Sequence, residues 1–254
     1  MTLSDRCKEF ENIEAQRTLI PKLPILVRLD GRAFHTYTRG LERPYDTRLQ
    51  TCMIETTKQL VEQFDAKLGY TQSDEISLLF NYEEPAQPLF KGRQQKIVSV
   101  LSSACTVYFK TLADKFLPKK SHLFPQFDCR VWNVPNIDEV YLYMLWREDD
   151  ATRNSITMAA QSVYSHKQLL HKNRNDMHEM LHEKGINWND YPSEFKRGIY
   201  LKRQQFLEEL SEEQLKKIPK DKIPENGKVI RSRVVKLDLR PVKEIDEEKE
   251  WLFE

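Results

Sequence analysis

The sequence predicts an α+β fold, in which a ferredoxin-like βαββαβ sheet with helices on one face precedes a mainly helical C-terminal domain. Over the first 135 residues, short β-prone runs alternate with long amphipathic stretches, and after Pro135 helical periodicity dominates. The chain has 254 residues, 39% of them hydrophobic, which is enough to bury a sizeable core without disulfides or a structural metal. We therefore place a domain boundary near residue 136, between residues 1–135 and residues 136–254.

Each element of the sheet has a local signal. Residues 25–29 are a short β-prone run between Pro24 and Gly31, which predicts a buried strand. Apolar residues recur at helical spacing over residues 46–64, and Asp46 is placed to cap that helix. Residues 67–71 and 76–81 are predicted to form a hairpin with a polar turn. A second helix is predicted over residues 93–116, and a fourth strand over residues 127–134. Beyond the boundary, helices are predicted over residues 138–146 and 153–185, and a partly extended segment over residues 194–210. A linker is predicted over residues 218–227 and a strand over residues 229–239.

Charge, hydropathy and cysteine usage exclude several classes of protein. Lys and Arg total 40 against 39 Asp and Glu, a net charge of +1, which is unlike a nucleic-acid packaging protein. The apolar runs fall far short of the roughly 20 residues that span a bilayer, and the amino terminus lacks the apolar stretch of a signal peptide. The four cysteines form no C-x-x-C pair, which argues against a disulfide framework or a cysteine zinc site. We expect a cytoplasmic protein with reduced cysteines and no membrane partner.

Two acidic positions carry the strongest chemical signal. Asp30 closes the first predicted strand, and Asp74 and Glu75 occupy the turn of the hairpin. Because the first and third strands of a βαββαβ sheet are neighbours, these carboxylates are expected at one sheet edge. Close carboxylates repel each other unless a cation neutralises them; Mg²⁺ prefers such ligands together with substrate phosphates, and Gly31 would let the backbone approach an ion. An ordinary strand end and an ordinary turn are the competing interpretation, because Asp is common at both.

A second motif suggests different chemistry. His178, Glu179 and His182 match H-E-x-x-H, the helical signature of a zinc site with Glu as general base. No histidine follows His182, so a third ligand would have to be an acid such as Glu194 or Glu208. The segment is also strongly polar, and we therefore favour an exposed helix with polar histidines over zinc peptidase chemistry.

Longer motifs resemble a known family. Residues 26–35 (LVRLDGRAFH) and 70–75 (YTQSDE) are similar to the paired signature of the tRNA-His guanylyltransferase family. Shorter matches lie at residues 43–48 (RPYDTR) and 127–131 (FDCRV), and the resemblance covers roughly residues 5–205. The two long motifs together are hard to obtain by chance.

The resemblance implies a polymerase-like palm that adds nucleotides to the 5′ end of tRNA in the 3′-to-5′ direction, using ATP, GTP and other nucleoside triphosphates. It implies that Asp30, the Gly31 carbonyl and Asp74 hold two Mg²⁺ ions per active site, that Glu75 supports them, and that the protein is a homotetramer. Basic side chains and helix N-termini bind triphosphate oxygens well. The resemblance assigns nucleotide or triphosphate contacts to Arg28, Arg32, Ala33, Phe34, His35, Arg43, Asp46, Ser73, Arg93 and Lys96. For each basic residue, a solvated surface position is the competing interpretation.

A basic stripe on the predicted 153–185 helix is typical of surfaces that bind RNA phosphates. An ordinary surface helix, balanced by Glu179 and Glu183, is nearly as consistent with this pattern. The residues that we expect to contact RNA are Arg153, Asn154, His171, Lys172 and Arg197.

The same helix contains the main departure from the family pattern. Enzymes that add the extra guanylate to tRNA-His carry a His-Ile-Asn-Asn-Leu-Tyr-Asn motif after a Trp-Arg pair. Here Trp146-Arg147 is present, but residues 153–157 read RNSIT. This departure resembles the guanylyltransferase-like branch of the family, which is associated with template-dependent repair of 5′-truncated tRNA.

We therefore predict a template-dependent 3′–5′ nucleotidyltransferase that acts on truncated tRNA. Its 5′ end would be activated by ATP or carry a triphosphate, with release of pyrophosphate. Addition of the extra 5′ guanylate to tRNA-His is the alternative within the family. A palm-fold nucleotidyl cyclase and a non-catalytic RNA-binding module are alternatives from other classes.

Overall fold

The computed structural model describes residues 1–82, 87–211, 228–238, 241–245 and 252–253. The helices are α1 (Leu3–Ala15), α2 (Phe34–Tyr37), α3 (Thr47–Phe64), α4 (Gln94–Phe116), α5 (Ile137–Val163), α6 (His166–Leu169), α7 (Arg174–Glu183) and α8 (Ser193–Arg197). The strands are β1 (Ile25–Gly31), β2 (Leu68–Gln72), β3 (Glu75–Phe80), β4 (Phe127–Asn133), β5 (Ile199–Glu209) and β6 (Lys228–Leu237). None of the helices in this part of the chain is long and apolar enough to cross a membrane.

The strands form one six-stranded sheet in the order β4-β1-β3-β2-β5-β6, with every pairing antiparallel. The predicted βαββαβ order of β1 to β4 with α3 and α4 is confirmed, and the ends of these elements lie within two residues of the prediction. The C-terminal region adds β5 beside β2 and β6 beside β5. Residues on both sides of position 136 therefore share one sheet, and the boundary there stays a prediction.

Helices cover both faces of the sheet. On one face, Val27 and Leu78 belong to a core that includes Leu60 of α3 and Leu101 of α4. On the other face, Leu26, Leu68 and Leu79 of the sheet form a second core with α5 and a C-terminal segment. The buried residues of α5 and of that segment in this core include Val140, Met144, Leu252 and Phe253. The sequence predicted helices on one face only, because nothing local indicates that α5 returns to the sheet.

The C-terminal helices differ from the prediction. We expected separate helices over 138–146 and 153–185, but α5 runs without a break from Ile137 to Val163, and α6 and α7 follow as shorter helices. Residues 147–152, which lie between the two predicted helices, belong to α5; Asp149 is exposed there, while Ala151 is buried and continues the packed face. Gly185 has a φ of 72° just after α7, as expected of a glycine that ends a helix. The predicted linker over residues 218–227 lies outside the described residues.

Candidate active site

Acidic residues occupy paired strand positions where β1, β3 and β4 meet. Asp30, near the end of β1, is opposite Glu75 of β3 on one side and Asp128 of β4 on the other. The backbone N–H of Gly31 donates to the carbonyl of Asp74 at 3.0 Å, which ties the end of β1 to the hairpin turn. Topology thus brings together residues that are more than forty positions apart in the sequence.

The electrostatics of this edge are those of an acidic pair. Burial raises the pKa of Asp74, and the nearby charge of Asp30 raises it further. A hydrogen bond from Ser73 Oγ to Asp74 Oδ1 at 3.0 Å opposes that shift. Two carboxylates that repel each other form a hard-oxygen donor set, which suits a divalent cation such as Mg²⁺.

Glu75 is held differently from its neighbour. Its buried carboxylate accepts a hydrogen bond from Arg147 Nε of α5 at 2.7 Å, and the terminal nitrogen of Arg147 lies 2.7 Å from Asp150. Burial raises the pKa of Glu75, while Arg147 and Arg28 oppose that shift. No sequence motif predicted Arg147 or Asp150 as a site residue. An arginine and an aspartate three positions apart on a helix were the available signal.

A cleft of about 670 Å³ opens beside Asp74. Ala33 lines this cleft. Its φ of 56° turns the backbone into α2 and lets Phe34 pack into the core. The cleft brings together many of the positions predicted to contact nucleotide; its lining includes Gly31, Ala33, Phe34, His35, Arg43, Asp46, Ser73 and Asp74.

Asp46 shapes one wall of this cleft. Its buried carboxylate caps α3 by accepting from the backbone of Arg48 at 3.0 Å, and the Arg48 side chain approaches to 2.6 Å. These hydrogen bonds lower the pKa of Asp46 to about 2. Asp46 therefore stays ionised at neutral pH and fixes the loop in front of α3.

The remaining predicted nucleotide contacts lie outside the cleft. Arg28 shares the α5 side of the sheet, 5.9 Å from the Trp146 ring, and its buried Nε has no hydrogen-bond partner among the described residues. Arg32 is exposed and donates to Gln126 Oε1 at 2.7 Å. Neither residue lines the cleft, so a contact with nucleotide from either stays a prediction.

Arg93 and Lys96 lie at the start of α4, as predicted. Further along the same helix, Ser102 Oγ donates to the carbonyl of Phe127, which is opposite Gly31. Nine residues of helix separate Arg93 from Ser102, and they correspond to roughly 13 Å at 1.5 Å per residue. Arg93 and Lys96 are not part of the cleft lining either, and their contact with nucleotide stays a prediction.

The predicted RNA contacts are spread over the C-terminal region. Arg153 and Asn154 are exposed on α5, where Arg153 pairs with Asp149 at 3.1 Å and Asn154 Nδ2 donates to Asp150 at 3.4 Å. His171 and Lys172 are exposed between α6 and α7, and Arg197 is half-buried at the end of α8. Their roles stay predictions.

The H-E-x-x-H segment forms α7, and His178 packs edge-on against Trp188 with the ring centroids 5.5 Å apart. Burial lowers the pKa of His178, and His182 and Arg174 lower it further. In the part of the chain that the structure describes, no three His, Cys, Asp or Glu side chains gather in a group able to hold a metal.

Comparison with known proteins places this geometry in a family. The family model of the tRNAHis guanylyltransferases matches residues 4–135. The tRNA(His) guanylyltransferase of Saccharomyces cerevisiae is 31% identical over 209 residues, covering 75% of this chain and 86% of the yeast protein. Among solved structures, a bacterial tRNA(His) guanylyltransferase-like protein in complex with ATP is 42% identical with a TM-score of 0.75, covering 80% of this chain and 87% of that one. Another in complex with GTP is 32% identical with a TM-score of 0.77, covering 99% of both chains. The chain belongs to the tRNA(His) guanylyltransferase family and is a nucleotidyltransferase.

Proposed function

We propose that this protein is a template-dependent nucleotidyltransferase that extends the 5′ end of truncated tRNA in the 3′-to-5′ direction. The observation that carries the proposal is the combination of an intact acidic pair, Asp30 and Asp74, with an altered segment at residues 153–157. The likeness to bacterial guanylyltransferase-like proteins that bind ATP or GTP supports the same branch.

The donor set fits two Mg²⁺ ions. Asp30 and Asp74 present carboxylate oxygens whose mutual repulsion a cation would relieve, and the Gly31 carbonyl is the third donor that we propose. When bound, the ions would activate the attacking hydroxyl and stabilise the leaving phosphate.

The reaction joins an incoming nucleoside triphosphate to an activated 5′ end. The 3′-hydroxyl oxygen of the incoming nucleoside triphosphate forms a bond to the 5′-terminal phosphorus of the RNA, and the hydroxyl loses its proton to solvent. The bond to the leaving group breaks, releasing pyrophosphate from a 5′-triphosphate or AMP from an adenylylated end. In the second case, pyrophosphate is released earlier, when ATP adenylylates the RNA.

The residues of the cleft would bind and orient the phosphates. His35, Arg43 and Ser73 line the cleft beside Asp74, and cationic and hydroxyl donors neutralise and position phosphate oxygens. Arg93 and Lys96, at the start of α4, do not line this cleft. We propose that they serve a second copy, in the homotetramer that the family resemblance implies.

The altered segment bears on the choice of RNA. Ser155 and Ile156 are buried, and Ser155 Oγ accepts from Trp188 Nε1 at 3.1 Å, so Arg153 and Asn154 are the exposed residues of the segment. The paired asparagines of the guanylate-adding enzymes have no full equivalent here. We therefore propose that pairing with the opposite strand supplies specificity.

Substrate preference tests the proposal. We expect a higher kcat/KM for a tRNA that lacks its first nucleotide than for intact tRNA-His with GTP, and the inserted nucleotide should follow the opposing base. Labelled NTPs and variants of the opposing base measure both. An equal or higher value for intact tRNA-His, with GTP inserted regardless of the opposing base, would instead indicate the extra-guanylate activity of the yeast relative.

The zinc alternative has its own test. Glu179→Gln should leave nucleotide addition nearly unchanged, because Glu179 is exposed on α7, which packs on α5. Glu183→Gln, on the same helix, is the matched control. Elemental analysis should find no stoichiometric zinc in the purified protein. One tightly bound zinc per chain, together with an inactive Glu179→Gln variant, would favour the zinc site over an exposed helix with polar histidines.

A further inference from the structure

We propose that Arg147 is a positioning residue that sets the metal affinity of the Asp30–Asp74 pair by anchoring Glu75 to α5. This inference rests on the proposed metal-dependent function and deepens it. The residues that carry it are Glu75, Arg147 and Asp150, which we call the arginine bridge.

The first contact of the bridge fixes the hairpin turn. Glu75 is the first residue of β3 and directly follows Asp74. Its carboxylate oxygen Oε1 lies 2.7 Å from Arg147 Nε, and the side chains of Glu75 and Arg147 are only 9% and 6% exposed. Because Asp74 is the neighbouring residue, holding Glu75 against α5 limits where the Asp74 carboxylate can lie.

The second contact fixes the arginine itself. The terminal nitrogen NH2 of Arg147 lies 2.7 Å from Asp150 Oδ2, and its guanidinium lies 4.3 Å from the centre of the Trp146 ring. A guanidinium offers several donors in one rigid plane, so it can hold two carboxylates and an aromatic face at once. A lysine ammonium preserves the charge but not this geometry.

The bridge also reaches the segment that departs from the family pattern. Asp150 accepts from Asn154 Nδ2 at 3.4 Å, and Arg153 NH2 lies 3.9 Å from its other oxygen. An unbroken series of contacts therefore joins the exposed Asn154 to the turn that carries Asp74. The bridge couples the proposed RNA-facing surface to the proposed metal site.

Direct metal binding tests this role without turnover. Mn²⁺ serves as a paramagnetic substitute for Mg²⁺, and electron paramagnetic resonance of the full chain gives its dissociation constant. The informative variants are Arg147→Lys, which keeps the positive charge, and Asp150→Asn, which leaves the Glu75–Arg147 contact in place. Arg231→Lys is the matched control, because Arg231 makes an exposed pair with Glu208 at 3.0 Å in the β5–β6 hairpin.

We expect Arg147→Lys to weaken Mn²⁺ binding about 10- to 100-fold, as substitutions of residues behind metal ligands commonly do. Asp150→Asn should weaken it by a smaller factor, and Arg231→Lys should not change it. Thermal unfolding identifies any variant that fails to fold. Wild-type affinity in folded Arg147→Lys and Asp150→Asn would show that Arg147 merely neutralises a buried charge, and would overturn the inference. Failure of the wild-type chain to bind Mn²⁺ would instead overturn the proposed metal site.

Discussion

Asp30→Ala and Asp74→Ala should each lower the rate of nucleotide addition about a thousandfold or more. A metal ion contributes several kcal/mol of transition-state stabilisation, and each 1.36 kcal/mol corresponds to a factor of ten in rate. Neither side chain holds the core together, since Asp30 lies near a strand end and Asp74 lies in a turn. Single-turnover assays with a 5′-truncated tRNA, an NTP and Mg²⁺ measure the loss.

The stability of the same variants separates a catalytic role from a structural one. Because the charge of Asp30 raises the pKa of Asp74, removal of either carboxylate relieves repulsion in the metal-free protein. The melting temperature without metal should therefore stay the same or rise, while stabilisation by added Mg²⁺ should disappear. Asp114→Asn removes an exposed carboxylate that pairs with Lys110 on α4 and should keep wild-type activity. A near-normal rate in either folded Asp→Ala variant would refute the assignment.

Gly31→Ala should lower both stability and activity. An added methyl group would lie 2.6 Å from Cγ of the Phe34 ring, and that ring cannot easily move. It is buried among Tyr37, Phe109 and Phe127, with ring centroids 5.0–5.3 Å away. Overpacking of this kind costs about 1–3 kcal/mol of unfolding free energy. Activity should fall as well, because Gly31 N–H joins β1 to Asp74.

A double-mutant cycle with Phe34→Leu tests the cause of that loss. If the clash with the ring is responsible, the double variant Gly31→Ala/Phe34→Leu should be more stable than the sum of the two single effects predicts. Contacting residues commonly show coupling energies of about 0.5–3 kcal/mol. Strict additivity in urea unfolding would show that the ring is not the obstacle.

Local patterns sufficed for the part of the fold whose partners lie nearby in the sequence. The β-prone run that ends at Leu29 and the capping position of Asp46 predict β1 and α3, because burial and capping leave signals within a few residues. The pairing of β5 with β2 joins Ile199 to Thr71, and no short window of sequence specifies so distant a partner. The same limit applies to α5, whose return to the sheet depends on packing.

The candidate site shows the same division. Asp30 and Asp74 could be predicted because a strand end and a turn are recognisable, and topology then makes them neighbours. Arg147 was missed, because an arginine in a polar helical run gives no indication that it will be buried against Glu75. Arg93 was placed correctly on its helix, but the distance from Asp30 depends on how α4 lies across the sheet.

The pairing of β5 with β2 also determines which strand closes the sheet. Without β5, the unpaired backbone of β2 would form an open edge, and such edges recruit other chains into aggregates. The structure gives that position to β6, whose sequence carries Lys228, Arg231, Arg233 and Lys236. Charged side chains on an edge strand oppose such recruitment. We therefore expect β6 to protect the sheet from aggregation, and during synthesis this protection is absent until the ribosome has released residues 228–237.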